Sequence, residues 1–165
     1  MKKYFFALCL VFAGLANAVA QTTEKPASVK ISGEATAPFE LKYPEAGLLP
    51  HTTVIRKDRD GKDHRYGGII VSDLLLKAGV TLGKDLKGEN LTKYVMVEAS
   101  DGYQVIFALA ELDKEFTDRA IILADEMDGK PLPAGDGPFR IIVQDEKKPA
   151  RCVKQVTGIR ILFAR

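Results

Sequence analysis

Five short apolar runs, each bounded by turn residues, constrain the fold of this chain most strongly. The runs are Tyr94–Ala99, Val105–Leu109, Ala120–Ala124, Arg140–Val143 and Ile159–Phe163. Each is rich in Val, Ile or Leu and shorter than a typical helix, so each predicts a β-strand. Glycine supplies positive φ, and an aspartate side chain bonds the backbone two residues on. Asp101-Gly102, Asp128-Gly129 and Gly135–Pro138 are therefore predicted turns between the strands.

The N-terminal half predicts further strands and only short helices. Strands are expected at Val29–Gly33, Phe39–Leu41 and Thr52–Arg56, and the Asp60-Gly61 turn predicts a hairpin that continues into His64–Tyr66. Helical segments are expected at Tyr43–Leu49, at Ser72–Gly79 with Ser72 as the N-cap, at Ala110–Phe116 and at Pro149–Val156. Because strands and short helices mix without regular βαβ alternation, we predict an α+β fold with a mixed or antiparallel sheet.

The first twenty residues have the pattern of a secretory signal peptide. Lys2 and Lys3 precede the apolar run Tyr4–Leu15, and small residues suited to cleavage follow at Ala16–Ala20. We therefore expect a signal peptide at residues 1–20, a linker at 21–28 and one domain at 29–165. This organisation predicts a periplasmic or secreted protein with no stable membrane span after cleavage.

The charge balance and the cysteine content exclude some kinds of protein. Without residues 1–20 the chain keeps 22 basic and 22 acidic residues. A nucleic-acid-binding protein would show a basic excess, so no nucleic-acid partner is expected. Cys9 belongs to the predicted signal peptide, which leaves Cys152 alone and rules out an intramolecular disulfide. A single cysteine of this kind is most often buried.

A series of short motifs from Tyr66 to the C-terminus resembles the oxidoreductase molybdopterin-binding domain of the sulfite oxidase family. The matching segments are Tyr66-Gly67-Gly68-Ile69, Asp73-Leu74-Leu75, Ala78-Gly79, Ser100-Asp101-Gly102-Tyr103, Leu123-Ala124, Gly129-Lys130-Pro131-Leu132-Pro133, Gly137-Pro138-Phe139-Arg140 and Val153-Lys154. The resemblance implies a pterin-binding-domain fold, and it implies molybdopterin as the cofactor of the family.

Two departures from the family pattern bear on function. The resemblance places a molybdenum-ligating cysteine before Tyr66, but His51–Arg56 contains none, and Cys152 does not correspond to it by position. Asp136 stands where the family often has a histidine near the pterin phosphate, and an acid there repels phosphate. We therefore expect a protein that binds a small anionic ligand or an exported redox partner. The alternatives are a molybdopterin-dependent oxidoreductase with a non-cysteine ligand set and a purely structural interaction domain.

The loops Ser100–Tyr103 and Gly135–Arg140 are predicted to form the site, because the resemblance puts both beside the family's cofactor. Arg140 can grip a planar anion through two parallel hydrogen bonds, and Tyr103 offers a flat face with a hydroxyl. Glycine in these loops permits close approach of a ligand. The predicted ligand-binding residues are Asp101, Gly102, Tyr103, Asp136, Arg140 and Lys154, with Asp101 or Asp136 orienting Arg140. The structural alternative pairs Arg140 with one of these aspartates and makes the Tyr103 loop a simple turn.

No catalytic residue or metal ligand is assigned from the sequence. His51 and His64 are the only histidines, and they flank one predicted strand, where they could approach each other across the hairpin. Two histidines alone make a weak metal site, because protein metal sites generally need three or four ligands.

Overall fold

A computed structural model describes residues 27–164, so the predicted signal peptide lies outside the described residues. The ten strands are β1 (Ser28–Gly33), β2 (Phe39–Lys42), β3 (Thr52–Lys57), β4 (Asp63–Ile70), β5 (Lys93–Ala99), β6 (Gln104–Ala108), β7 (Ile121–Met127), β8 (Lys130–Pro131), β9 (Arg140–Val143) and β10 (Val156–Phe163). The helices are α1 (Tyr43–Ala46) and α2 (Val71–Lys77), with 3-10 turns at Gly83–Asp85, Gly88–Thr92, Leu109–Leu112 and Pro149–Arg151. Within the described residues, no helix is long and apolar enough to cross a bilayer.

The strands form two five-stranded sheets. The first has the order β2-β1-β10-β5-β6, with β1 and β10 parallel and the other pairs antiparallel. The second runs β3-β4-β7-β8, with β9 also paired to β7, and all its pairs are antiparallel. The predicted α+β fold with a mixed sheet is therefore confirmed.

Successive side chains of a strand point to opposite faces of the sheet, and the buried apolar residues accordingly form two clusters. The larger contains the inward residues of the first sheet together with α2 and one face of the second sheet. The smaller lies on the other face of the second sheet and is formed by Val54, Tyr66, Ile122, Ala124, Leu132 and Ile142. Strand β9 is buried on both faces, with Ile141 and Val143 in the larger cluster and Ile142 in the smaller. Since successive side chains point to opposite faces, Arg140 faces the same side as Ile142 and Tyr66.

Four of the predicted helical features differ in the structure. The helix expected at Tyr43–Leu49 ends at Ala46. The α2 helix starts at Val71 because β4 runs directly into it, so Ile70 takes the N-cap position and the buried Ser72 lies inside the helix. The predicted Ala110–Phe116 helix is only the 3-10 turn Leu109–Leu112. It stops there because the Asp113 carboxylate accepts the Glu115 and Gly83 amides, which competes with helical hydrogen bonding.

The segment before β10 is also less helical than predicted. Only Pro149–Arg151 forms a 3-10 turn, and Val156 already belongs to β10. Cys152, Val153 and Val156 are all buried in the larger cluster, so the apolar pattern reflected burial rather than one helical face. This segment forms one wall of the cavity described next.

Candidate functional site

A cavity of about 610 Å³ opens where four loops meet. It is bounded by the β3–β4 turn, the β5–β6 loop, the loop before β9 and the segment before β10. Five of the six residues predicted from sequence line it, namely Asp101, Tyr103, Asp136, Arg140 and Lys154. The fold thus brings together two loops and a basic residue that lie up to 53 positions apart in the chain. That they bind a ligand stays a prediction.

Arg140 lies at the start of β9 and is only 4% exposed. Its Nη1 donates to Asp136 Oδ2 at 2.7 Å and to the Tyr66 hydroxyl at 2.9 Å. The same nitrogen lies 3.6 Å from Asp58 Oδ2. Nε, in contrast, is buried and has no hydrogen-bond partner within residues 27–164. Arg140 is therefore held firmly through one nitrogen while another donor of the guanidinium stays unused.

Tyr66 and Asp58 complete the support of Arg140. The Tyr66 hydroxyl donates to Asp58 Oδ2 at 2.5 Å, and the guanidinium carbon of Arg140 lies 5.2 Å from the centre of its ring. Burial, and then the hydrogen bond to Asp58, raise the pKa of Tyr66 well above its usual range. Tyr66 is therefore neutral and passes one hydrogen bond to the carboxylate while it accepts another from Arg140.

Sequence reasoning did not assign Asp58 or Tyr66 to the site. Tyr66 carried a signal only as part of the motif that resembles the family, and Asp58 indicated only a turn. Their role depends on strand pairing, because β4 and β9 lie on either side of β7 in the second sheet. The clue in the sequence was Tyr66, because a tyrosine on a buried strand needs a hydrogen-bond partner for its hydroxyl.

Asp136 is the acid that orients Arg140, as one of the two sequence alternatives proposed. Its other carboxylate oxygen lies 2.5 Å from Lys154 Nζ, so it bridges two cations at the cavity. Asp101 instead accepts the backbone amide of Tyr103 at 2.9 Å, within its own turn. The predicted structural pairing and the predicted cavity therefore exist together, since Arg140 is paired and also lines an open space.

Tyr103 is 48% exposed and borders the cavity. Its hydroxyl donates to the Ala150 carbonyl at 2.9 Å, so its side chain connects the β5–β6 loop to the Pro149–Arg151 turn. A ring held at both ends presents its face without losing further conformational freedom on binding.

The two glycines expected to allow close ligand approach, Gly102 and Gly137, each have a structural role. Gly102 does not line the cavity and has φ +83°, and a Cβ there would meet nothing within 4 Å. Its role is the left-handed backbone of the turn. A Cβ on Gly137 would lie 2.9 Å from Leu132 Cβ, so this glycine makes room for core packing.

The two histidines lie at opposite ends of the β3–β4 hairpin, and the prediction that they approach each other is wrong. His51 precedes β3, and its Nε2 lies 2.9 Å from Asp125 Oδ1. His64 pairs with Arg56 near the other end of the hairpin and borders the cavity. The register of the hairpin separates them, because Thr52 is opposite Gly68.

Cys152 forms part of the cavity wall and is 4% exposed. Its predicted burial is confirmed. Burial raises the pKa of the Cys152 thiol, although a backbone hydrogen bond involving Val143 and the charges of Arg56 and Arg140 act to lower it. The group is therefore a neutral thiol at neutral pH.

The two-sheet fold is similar to that of a solved structure. The crystal structure of the sulfane dehydrogenase SoxCD from Paracoccus pantotrophus is similar, with a TM-score of 0.61 and 19% sequence identity. The match covers 81% of this chain and 37% of that chain.

The sequence shows the family directly. Residues 56–164 match the family described as oxidoreductase molybdopterin binding domain, and the chain belongs to it. No curated protein matches the sequence significantly. The sequence resemblance drawn from the motifs after Tyr66 is thereby confirmed.

Proposed function

We propose that this protein is exported and binds a small anionic ligand in the cavity beside Arg140, and that it works by binding rather than by molybdenum redox chemistry. The observation that carries the proposal is the meeting of Arg140, Lys154 and Tyr103 in the wall of one open cavity. Two cations on one wall attract an anion, and a guanidinium or ammonium group can donate charge-assisted hydrogen bonds to it.

The cavity suits a ligand of modest size. Its volume of about 610 Å³ falls within the range of about 300–1,000 Å³ that is common for small-molecule sites. Lys154, whose side chain is 55% exposed, adds a second cation at the wall. Tyr103 adds a flat face on which a planar ring could stack. These features support an anionic heterocycle or a small carboxylate, phosphate or sulfur oxyanion, and a concave wall favours such a ligand over an exported redox partner.

The donor groups of the cavity do not fit a molybdenum ion. Metal-bound cysteine must be a thiolate, and burial, which raises the pKa of the Cys152 thiol, disfavours that form. The carboxylates of Asp58 and Asp136 are engaged by Arg140 and Lys154. Among residues 27–164, no group of three or more His, Cys, Asp or Glu side chains is arranged to hold a metal ion. We therefore assign no chemical step through molybdenum.

Substitution of Arg140 tests the anion site. A charge-assisted hydrogen bond contributes about 1.5–3 kcal/mol, so Arg140→Ala should weaken binding of an anion by roughly ten- to a hundredfold. A thermal-shift screen of sulfate, phosphate, small carboxylates and pterins would supply the probe, and isothermal titration would measure its affinity. Folded Arg140→Ala protein that binds the probe as tightly as the wild type would contradict the proposal.

A second substitution tests the site even if the Arg140 variant does not fold. Lys154→Met removes the partly exposed cation at the cavity and should weaken the same probe by several-fold. Lys87→Met is the matched control, because Lys87 is exposed and does not line the cavity. Equal affinities for the Lys154 and Lys87 variants would show that Lys154 does not contribute to the proposed site.

Metal analysis separates binding from the oxidoreductase alternative. We expect protein purified from its exported compartment to hold no stoichiometric molybdenum, because its only cavity cysteine is a buried thiol. Inductively coupled plasma mass spectrometry gives the metal content per chain. About one molybdenum per chain, lost in Cys152→Ser, would show that Cys152 is a metal ligand and overturn the expectation.

A further inference from the structure

His64 joins two turns that are distant in sequence. Its Nδ1 lies 2.7 Å from Asp128 Oδ2, in the β7–β8 turn, and its Nε2 lies 3.0 Å from Asp60 Oδ2, in the β3–β4 turn. Each aspartate is also tied to the backbone, since Asp128 Oδ1 accepts the Arg65 amide and Asp60 Oδ1 accepts the Lys62 amide. His64 is thus the side-chain link between the ends of two hairpins.

The geometry requires both ring nitrogens of His64 to carry hydrogen. An ionised carboxylate only accepts hydrogen bonds, and a neutral imidazole has a single N–H. Two carboxylate partners can therefore both be satisfied only by the imidazolium form. When the ring loses its proton, one of the two contacts becomes a lone pair facing a carboxylate.

The β3–β4 turn carries groups that shape the cavity. Asp58 accepts the hydroxyl of Tyr66 and lies 3.6 Å from Arg140 Nη1. Arg59 lines the cavity and makes no ion pair or side-chain hydrogen bond within residues 27–164. Asp60 is the residue that His64 holds. Asp60 thus lies two positions from Asp58, which supports Arg140.

We infer that protonated His64 latches the β3–β4 turn to the β7–β8 turn, and that loss of its proton releases the turn and loosens the mouth of the cavity. The inference deepens the proposed function, on which its consequence for ligand binding rests. The latch itself can be observed without any ligand. The latch requires only a proton on His64 and the carboxylates of Asp60 and Asp128, which already contact the ring.

The charged groups around His64 favour the protonated ring. From the two turns it faces Asp60 and Asp128, while Arg56 lies opposite it on β3 and Lys62 follows Asp60 in the same turn. The hydrogen bond to Asp128, then that to Asp60, raise the pKa of His64 from 6.5 to about 8, although desolvation opposes the rise. Arg56 engages Glu146 and Asp58 instead. The two acids therefore outweigh the nearby cations.

The direction of the pH dependence follows from the raised pKa. A folded-state pKa above the unfolded value means that protonation stabilises the folded form. The latch contributes fully below about pH 6.5 and is lost as the pH rises through about 8. An anionic probe should accordingly bind more weakly above pH 8 than at pH 6.5.

Nuclear magnetic resonance of the whole protein tests the latch in the absence of ligand. The ring signal of His64 should titrate near pH 8, and in Asp128→Asn the midpoint should fall toward 6.5. Hydrogen exchange of the Lys62 amide, corrected for its intrinsic pH dependence, should accelerate as His64 loses its proton. Asp63→Asn is the matched control, because it removes an exposed carboxylate of the same hairpin, and the ring nitrogens of His64 bond Asp128 and Asp60 rather than Asp63.

The outcomes distinguish this inference from the anion site. A wild-type midpoint near 6.5, unchanged Lys62 exchange through the titration, or an equal shift in Asp63→Asn and Asp128→Asn would each overturn the latch. If the latch is observed but no anion binds at any pH, the proposed function fails while the latch stands. If an anion binds with the same affinity at pH 6.5 and pH 9, the latch does not regulate the site.

Discussion

Arg140→Met is expected to destabilise the protein by about 3–4 kcal/mol. Removing one partner of a buried ion pair leaves the other charge uncompensated, which typically costs about 3–5 kcal/mol. Here Arg140 supports Asp136 and the Tyr66 hydroxyl. Lys154 continues to neutralise Asp136, and both acids near Arg140 keep some exposure, so the lower part of the range applies. Urea denaturation followed by circular dichroism would measure the change.

Arg160→Met is the matched control for this measurement. Arg160 is exposed on β10 and makes no ion pair or side-chain hydrogen bond in the described part of the chain. Exposed positions of this kind usually change stability by no more than about 0.5 kcal/mol. Equal denaturation midpoints for the two variants would mean that the Arg140 cluster adds nothing to stability.

Phe139→Ala should have a comparable or larger effect, about 3–5 kcal/mol. Phe139 is fully buried in the larger cluster, and its ring meets Tyr43 edge-to-face at 5.7 Å between centroids and 71° between planes. Truncation removes that burial and leaves a space that the two surrounding sheets can fill only in part. Since Phe139 immediately precedes Arg140, the loss should also reduce order at the start of β9.

Phe116→Ala provides the comparison for Phe139. Phe116 is 51% exposed, so its truncation removes much less buried area and should cost well under half as much. Thermal and urea unfolding of both variants at pH 6.5, where His64 is protonated, would compare them on equal terms. A Phe139 variant as stable as the Phe116 variant would indicate that the cavity loop packs less tightly than described.

Strand positions were largely predictable from local sequence. Short β-branched runs between Gly and Asp turns leave few other conformations, so Arg140–Val143 is found with its predicted bounds and the other strands within a few residues. Helix ends were less predictable, because they depend on what competes for the backbone. Ser72 was displaced from the N-cap by the strand that runs into α2, and the Asp113 carboxylate ended a helix that propensity alone would continue.

The candidate site was predictable where a loop carried a motif and not where it depended on packing. The Tyr103 and Arg140 loops were identified, because both carry turn residues and the family resemblance places both beside the cofactor. Asp58 and His64 were not, since their partners are Tyr66 and Asp128, and only the hairpin register brings these groups into contact. The contact between Gly137 and Leu132 was not predictable for the same reason, because only the folded chain brings the two residues together.

The sequence by itself determined the family, the α+β class and the two loops that border the cavity, because each depends on residues close together in the chain. Tertiary structure alone decided how Arg140 is used. Its Nη1 is satisfied by Asp136 and by Tyr66, which lies 74 residues away in the chain, and its Nε has no partner among residues 27–164. No local pattern encodes that division, since it arises from the pairing that places β4 and β9 on either side of β7. The same packing places His64 between two carboxylates and so couples the cavity to a proton.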